Sequence, residues 1–410
     1  MIPSGLAKVW AVPNLRKLVI SRFVSNIGNG LAPVAVAFGV LELPNGNGKS
    51  LSLVMALTSL SLVLFSLVGG VVGDRFPRAW LVGGTDILLA ILVIGNGIAY
   101  VTGNGSVLLF TVVGFLSGAL NAIWYPAMSA LTSDLAEPEI LQDSNAATML
   151  SSNVAMILGT AIAGTIVATI GPGWAIIIDG ITFLIAGVLV YSMRTSTPVA
   201  QREESSSTIH ELKSGWREFS SRRWVFLVVI IFSFLVAMER AVYSVLGPLV
   251  ADQKLGGPKP WSIILAAWAV GPVVGVIFAG KVRPRFPIRV AIIVQFPVFL
   301  WFFALANTTN VLLISIISFF VGIVFDFFYV LWVTTLQQHI PKESLSKVMS
   351  YDVLGSLALA PIGIAVAGPI AENVGTSVIL NVFTLTAAMC IFAPLLSREV
   401  RMTESHVNQA

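Results

Sequence analysis

Charged residues are scarce in this chain of 410 residues. Asp, Glu, Lys and Arg make up 11% of it, whereas soluble domains carry roughly 25%. Hydrophobic residues reach 56%, and the mean hydropathy is +0.89. A water-soluble fold could not bury this much apolar surface, so the composition excludes a soluble domain and predicts an integral membrane protein.

Cysteine and histidine are also rare. Cys390 is the single cysteine, which excludes a disulfide framework within the chain and a CxxC metal motif. The three histidines, His210, His339 and His406, lie far apart, so neither a metal site nor a cofactor is predicted. The ATP-binding sequence GxxxxGK[ST] does not occur, which argues against ATP as the direct energy source.

The chain has long apolar runs instead. There are twelve, and each is long enough to cross a bilayer as a helix, whereas a β-barrel would show alternating segments of about 10 residues. The fifth and sixth runs are separated by the helix breaker Gly-Pro-Gly in IGPGW (170–174). We therefore predict an all-α integral membrane protein with twelve transmembrane helices, at about 16–41, 50–72, 80–101, 106–130, 144–170, 173–193, 223–250, 261–280, 288–305, 309–336, 348–371 and 376–396.

Basic residues are unevenly distributed between the loops. Of the 24 Lys and Arg, 20 fall on one side of the predicted membrane and three on the other, while Arg240 lies inside a span. Positively charged loops stay in the cytoplasm, so both termini are predicted to be cytoplasmic, in the inner membrane of a bacterium. Topology also accounts for the pI of about 9.3, and no nucleic-acid partner is expected.

The longest polar segment divides the twelve spans into six and six. Part of it is spaced as an amphipathic helix that lies on the membrane surface, with apolar residues at Ile209, Leu212, Trp216 and Phe219. The expected organisation is an N-terminal six-helix bundle (1–193), a cytoplasmic linker (194–222), a C-terminal six-helix bundle (223–397) and a cytoplasmic tail (398–410).

A short basic turn occurs once in each half. GDRFPR (73–78) follows the second span, and GKVRPR (280–285) follows the second span of the second half. The matching Gly, Pro and Arg indicate an internal duplication. Two pseudo-symmetric bundles with a site between them are a known transporter design.

The first turn resembles a signature of the major facilitator superfamily, G-x-x-x-D-R-x-G-R-[RK]. The matching residues are Gly70, Asp74, Arg75 and Arg78. The chain departs at Pro77, where the family has Gly, and at Ala79, where it has a second basic residue. Further stretches resemble the efflux branch that includes macrolide and enterobactin exporters: RFVSNIGNGLAPVA (22–35), ILGTAIAGTIVATIGPGWAIIIDGITFLIAG (157–187), ELKSGWREFSSRRWVF (211–226) and TLQQHIPKESLSKVMS (335–350).

The resemblance implies that this turn is a conformational latch formed by Gly70, Asp74, Arg75 and Arg78. In the family the acid faces the N-terminus of the eleventh span when the cytoplasmic side is closed. A helix N-terminus carries about half a positive charge, which the carboxylate of Asp74 would bind. The alternative is that these residues only fix the topology.

Two acids inside the spans are the candidates for proton coupling. Glu239 and Asp326 each lie near the middle of a span, the seventh and the tenth, which line the central cavity in the resembled fold. Ionisable residues at such depth are costly and usually functional, and burial favours the neutral form of a carboxyl group. A fixed pair between Arg240 and one of these acids is the alternative.

The other acids inside the spans are expected to have supporting roles. Asp86 and Asp352 lie within about two turns of the inner surface and are interpreted as supports of the latch. Glu42 lies at the outer end of its span, and Asp179 lies on the sixth span, which is peripheral in the resembled fold. We interpret Asp179 as structural.

Polar and aromatic side chains on the inner faces of the spans are the candidates for the cavity and the substrate. The first span carries a polar stripe at i, i+4 and i+7, and the fourth places an amide and two aromatics on one face. Core packing is the alternative for the aromatics. The candidates are Arg22, Asn26, Asn29, Asn121, Trp124, Tyr125, Arg240, Tyr243 and Tyr329.

Together these observations predict a secondary active transporter. We expect a monomeric, proton-coupled exporter of a small amphipathic compound, drug-like, macrolide-like or siderophore-like, that works by alternating access. An uptake symporter on the same fold is one alternative, because direction is not written in the sequence. A membrane enzyme or a scaffold is the other, although no clustered His or acid motif supports it.

Overall fold

The structure is a computed structural model that describes residues 4–73, 76–193 and 215–404. These residues are almost entirely helical, and none of them forms a β-strand. Twelve helices within the described residues are long and apolar enough to cross a membrane, which confirms the predicted fold class. We number them spans 1 to 12: Pro13–Leu41, Gly48–Gly73, Arg78–Val101, Val107–Leu135, Leu141–Ile170, Pro172–Tyr191, Arg223–Leu255, Pro258–Lys281, Pro287–Asn307, Val311–His339, Ser344–Val374 and Thr376–Leu396.

The chain forms two compact units. Unit 1 comprises Met1–Gln201 and Gly256–Ile263, and unit 2 comprises Arg202–Leu255 and Ile264–Ala410. Unit 1 therefore holds spans 1 to 6, preceded by a short helix, Ser4–Ala11, together with the first residues of span 8. Those residues are held within unit 1 by the Ser262 hydroxyl, which donates to the backbone carbonyl of Thr160 at 2.6 Å.

The two units repeat the same helix pairs. In unit 1, spans 1 and 5, spans 1 and 6, and spans 3 and 6 pack against each other. In unit 2 the same pairs recur six spans later, between spans 7 and 11, spans 7 and 12, and spans 9 and 12. This repetition is the pseudo-symmetry that the duplicated turn indicates.

A glycine makes the tight turn between the last two spans of each unit. Gly171 ends span 5 at φ +88° and Gly375 ends span 11 at φ +91°, in the left-handed region that glycine enters without a steric cost. Pro172 then opens span 6 at a position where its missing N–H is not needed. The predicted break between the fifth and sixth spans is thereby confirmed.

Within the described residues, four spans of unit 2 depart from regular α-helix, and one of them, span 12, does so only in its closing 3₁₀ turn, Ala393–Leu396. Span 7 contains two π-helical turns, Val242–Leu246 and Ala251–Leu255. Span 9 breaks before Phe296–Asn307, and span 11 breaks at Leu359. A proline follows within two residues of each break, Pro297 in span 9 and Pro361 in span 11, and proline cannot donate the i→i−4 hydrogen bond.

Spans 1 and 5 approach closely because glycines lie at their crossing. A Cβ atom at Gly159 would lie 2.1 Å from the carbonyl oxygen of Ile27, and one at Gly30 would lie 2.6 Å from that of Met156. Small residues let transmembrane helices make such backbone contacts. The small residues of span 5 therefore act in helix packing.

Replacing Gly159 with Ala is expected to destabilise unit 1. Backbone atoms cannot move aside as a flexible side chain can, so we expect a loss of about 1–3 kcal/mol. The measurement is the thermal unfolding midpoint of the purified protein in detergent. Gly84→Ala is the matched control, because a Cβ atom there would meet no atom within 4 Å. Equal midpoints for the two variants would contradict the packing role.

The end of the linker is helical and packs on unit 2. Residues 215–220 form a short helix, in which Phe219 is buried and stacks on Tyr351 at 5.9 Å between ring centroids. Trp216 is exposed and contacts the same tyrosine at 5.7 Å. Ile209 and Leu212 of the predicted amphipathic helix lie outside the described residues.

Ion pairs order the linker and the tail outside the membrane. Arg222 donates to the Glu218 carboxylate at 2.8 Å, and this hydrogen bond lowers the pKa of Glu218 below its usual range. After the last span, the tail begins with a short helix, Arg398–Met402, whose Val400 is buried. Arg285 of the second basic turn bonds Glu404 at 3.1 Å.

Candidate functional site

The predicted latch is described only in part. Gly70 lies in span 2, and Arg78 at the start of span 3 forms an ion pair with Asp134 at the end of span 4. Asp74 and Arg75 lie outside the described residues. Arg78 therefore has a defined partner within unit 1, while the role of the latch as a whole stays a prediction.

A buried ion pair lies in unit 1 between spans 1 and 3. Arg22 Nη2 is 2.8 Å from Asp86 Oδ2, and the two side chains are 2% and 1% exposed. Trp124 of span 4 covers the guanidinium, with Arg22 Cζ 4.8 Å from the ring centroid. Asp86, which the sequence placed with the latch, is thus the partner of Arg22, and both charged side chains are buried.

The other cavity candidates of unit 1 are Asn26, Asn29, Asn121 and Tyr125. The amide nitrogens of Asn26 and Asn121 donate to carbonyls one turn back in their own helices, at 2.8 and 2.9 Å. Asn29 is half-buried. Tyr125 is exposed and meets Trp124 edge to face at 5.3 Å. The structure thus brings together Arg22, Trp124 and Tyr125.

Unit 2 contains a cavity of about 280 Å³ between spans 7, 9, 10 and 11. Its wall is mostly apolar and includes three nearly parallel rings. Phe232 stacks on Phe328 at 4.6 Å and 14°, and Phe328 stacks on Trp332 at 6.0 Å and 13°. The cavity thus presents flat aromatic surface to whatever occupies it, as small-molecule sites commonly do.

A few polar groups interrupt this apolar wall. Glu239 is 4% exposed, and its Oε2 lies 3.7 Å from Arg240 Nε, an ion-pair distance but not a hydrogen bond. Asp352 accepts a hydrogen bond from the Trp332 indole at 3.1 Å. Gln295 donates to the Val324 carbonyl at 2.8 Å. Asp352, interpreted from the sequence as a latch support, therefore lines the cavity with Glu239.

The structure separates the two predicted coupling acids. Glu239 and Tyr329 line the cavity, whereas Asp326, which is half-buried, is not among its described lining residues. Tyr243 packs against Trp268 of span 8 at 5.7 Å and is likewise not among them. Arg240 lines the cavity and is 42% exposed, so its charge is only partly offset by Glu239.

Equivalent positions of the two units carry different chemistry. Arg22 and Phe232 are each the tenth residue of their spans, 1 and 7. Trp124 and Phe328 are each the eighteenth of theirs, 4 and 10. The contact within each unit is similar in length, 4.8 Å between Arg22 and Trp124 and 4.6 Å between Phe232 and Phe328. Where unit 1 has a charged group under an aromatic ring, unit 2 has two aromatic rings beside an open cavity.

The described residues contain no cluster of three or more His, Cys, Asp or Glu that could hold a metal ion. The groups present at the cavity are an acid beside a cation, a second acid bound to an indole, an amide and aromatic rings. Such a set can bind an amphipathic molecule and exchange a proton. A cavity of this kind within a bundle of twelve membrane-spanning helices is typical of membrane transporters.

Comparison with known proteins identifies the family. The profile of the Major Facilitator Superfamily matches residues 18–363, and the chain belongs to this family. It is 27% identical over 284 residues to the enterobactin exporter EntS of Escherichia coli, covering 66% of this chain and 65% of the exporter. It is 24% identical over 297 residues to the uncharacterized MFS-type transporter YkuC of Bacillus subtilis, covering 68% of both chains. The chain thus matches about two thirds of each relative's length.

Solved structures share the fold at low identity. The nucleoside transporter NupG superposes with a TM-score of 0.75 at 13% identity, covering 93% of this chain and 98% of that chain. A peptide transporter POT bound to alafosfalin superposes with a TM-score of 0.71 at 12% identity, covering 95% of each chain. At this identity the likeness establishes the architecture alone.

Proposed function

We propose that this chain is a proton-coupled exporter of small amphipathic compounds. The observation that carries the proposal is the cavity of unit 2, where the buried carboxyl of Glu239 lies beside the half-exposed Arg240 under an aromatic wall. The similarity to an enterobactin exporter supports the outward direction. The proposed substrates are drug-like, macrolide-like or siderophore-like molecules, because an aromatic wall binds flat apolar surface.

Glu239 would couple transport to protons through its charge. When it binds a proton, the carboxylate facing Arg240 becomes neutral, and the net charge of the cavity rises by one. A substrate that binds one charge state better than the other is then bound or released as the proton comes and goes. Span 1 has Asn29 at the position of Glu239 in span 7, the seventeenth of each, so this carboxyl is present in one unit only.

The cycle would be one of alternating access, driven by the proton gradient across the bacterial inner membrane. We propose a monomer with both termini in the cytoplasm, as the excess of basic residues in the loops indicates. Tyr329, which lines the cavity of unit 2, would contribute a further substrate contact. Tyr125 and Tyr329 hold the same position in spans 4 and 10 and are similarly exposed.

Proton movement in inverted membrane vesicles tests the proposal. Vesicles from cells with and without the chain are energised by respiration, and a pH-sensitive dye reports the gradient while macrolides, other drugs and siderophores are added in turn. We expect at least one compound to dissipate the gradient only when the chain is present. Uptake symport, the alternative on the same fold, would instead move labelled compound and protons in the same direction in proteoliposomes.

Asp74→Asn is expected to leave the protein folded and to slow transport. In the proposed latch the carboxylate binds a helix N-terminus when the cytoplasmic side is closed, so its loss shifts the balance between the two states. Transport is measured at matched surface expression. Glu137→Gln, at an acid in the loop after span 4, is the control for removing a charge outside the membrane. Wild-type transport by the Asp74 variant would leave these residues with a topological role only.

A further inference from the structure

Asp179 is an acid inside span 6 whose carboxyl has no described partner. The residue is 4% exposed, and Oδ1 accepts no hydrogen bond from the described residues. The nearby Thr182 hydroxyl donates to the backbone carbonyl of Asp179 at 2.7 Å. Span 6 therefore carries a buried polar atom that its own helix does not satisfy.

The carboxyl points at the backbone of span 1. A Cβ atom at Gly28 would lie 2.3 Å from Asp179 Oδ1 and 2.1 Å from Thr182 Oγ1. The space for the carboxyl exists only because residue 28 is a glycine. Packing of span 6 on span 1 thus encloses the acid against a neighbouring main chain.

No described cation is placed to balance a negative charge on Asp179. On span 1, Arg22 is paired with Asp86 of span 3, and Gly28 lies six residues further along, about 9 Å at the helical rise of 1.5 Å per residue. The remaining titratable side chains on the spans that pack against span 6 lie near the ends of those spans: Arg16, Lys17, Arg78, Tyr100 and Asp143. Glu42 is the C-cap of span 1 and bonds Tyr100.

We infer that Asp179 is a proton-binding site of unit 1, separate from the cavity of unit 2. An unpaired carboxylate buried away from water is strongly disfavoured, whereas a protonated carboxyl is neutral and fits an apolar interface. The bound proton is what lets span 6 pack against Gly28. The sequence placed Asp179 at the periphery as a structural residue, and its enclosure by Gly28 gives it this second role.

Infrared spectroscopy of the purified protein near pH 7 tests the inference without any transport assay. A protonated carboxyl has a C=O stretching band that a carboxylate lacks. We expect the wild type to show one such band that the spectrum of Asp179→Asn lacks. This band should shift in deuterated water. Asp252→Asn, at an exposed acid of span 7, should remove only carboxylate bands.

Loss of carboxylate bands in the Asp179→Asn difference spectrum would overturn the inference, because it would place a charge or a bound cation at the site. Should the asparagine variant fail to fold, Asp179→Ser, which is smaller and also neutral, gives the same comparison. Glu239→Gln is recorded in parallel. Failure of the proposed coupling at Glu239 is thereby read separately from the protonation of Asp179.

Discussion

Glu239→Gln is expected to abolish substrate-dependent proton movement in inverted vesicles. Glutamine has nearly the volume of glutamate and can occupy the same space beside Arg240, but it cannot take up a proton. The cavity and its aromatic wall would be retained, so exchange of labelled substrate across proteoliposomes should continue. Loss of proton movement with retained exchange is the signature of a coupling residue, because a merely structural residue would affect both.

Asp326→Asn is the matched control for this prediction. Asp326 lies on a neighbouring span at similar depth but is not among the described residues that line the cavity. We therefore expect a smaller loss of proton movement for this variant than for Glu239→Gln. The reverse order would move the coupling role from span 7 to span 10 and would contradict the assignment based on the cavity.

The second large effect is expected at the ion pair of unit 1. Arg22→Met leaves the Asp86 carboxylate buried and unpaired, and Asp86→Leu leaves the Arg22 guanidinium buried and unpaired. Either change should lower the free energy of unfolding by about 3–5 kcal/mol. The double variant Arg22→Met/Asp86→Leu removes both charges and should recover most of that loss. The measurement is the yield and unfolding midpoint of the detergent-solubilised protein.

The pair between Arg222 and Glu218 provides the comparison. It lies outside the spans and is partly exposed to solvent, so Glu218→Gln should leave the unfolding midpoint unchanged. A double variant of the buried pair that loses the sum of the two single losses would show that Arg22 and Asp86 contribute independently. The stability of unit 1 would then depend on packing around each side chain separately.

The number of spans and the break at Gly171 could be predicted because each depends on local chemistry. Length and hydropathy define a span, and Gly-Pro-Gly is a strong helix breaker. The pairing of Arg22 with Asp86 could not be predicted this way, because the partners are 64 residues apart and nothing in the spacing of either span encodes the other. The sequence feature that could have indicated this pair is the presence of opposite charges at similar depth in spans 1 and 3.

The role of each acid depends on which face of its span meets another helix. Asp352 was placed by depth alone, and depth does not distinguish a support of the latch from a cavity wall beside Trp332. The same limit applies to Asp179, whose burial depends on a glycine in another span. The breaks in spans 9 and 11 coincide with prolines visible in the sequence, and Pro248 follows the first π-helical turn of span 7 in the same way.

The unequal contents of the two units affect how such a chain can change over generations. A substitution at Arg22 leaves the buried charge of Asp86 unpaired, so a second mutation at Asp86 is needed before stability is regained. A substitution at Phe232 or Phe328 reshapes the cavity of unit 2 and leaves no charge unpaired. The ion pair thus constrains change in unit 1, whereas the aromatic wall of unit 2 can change by single mutations.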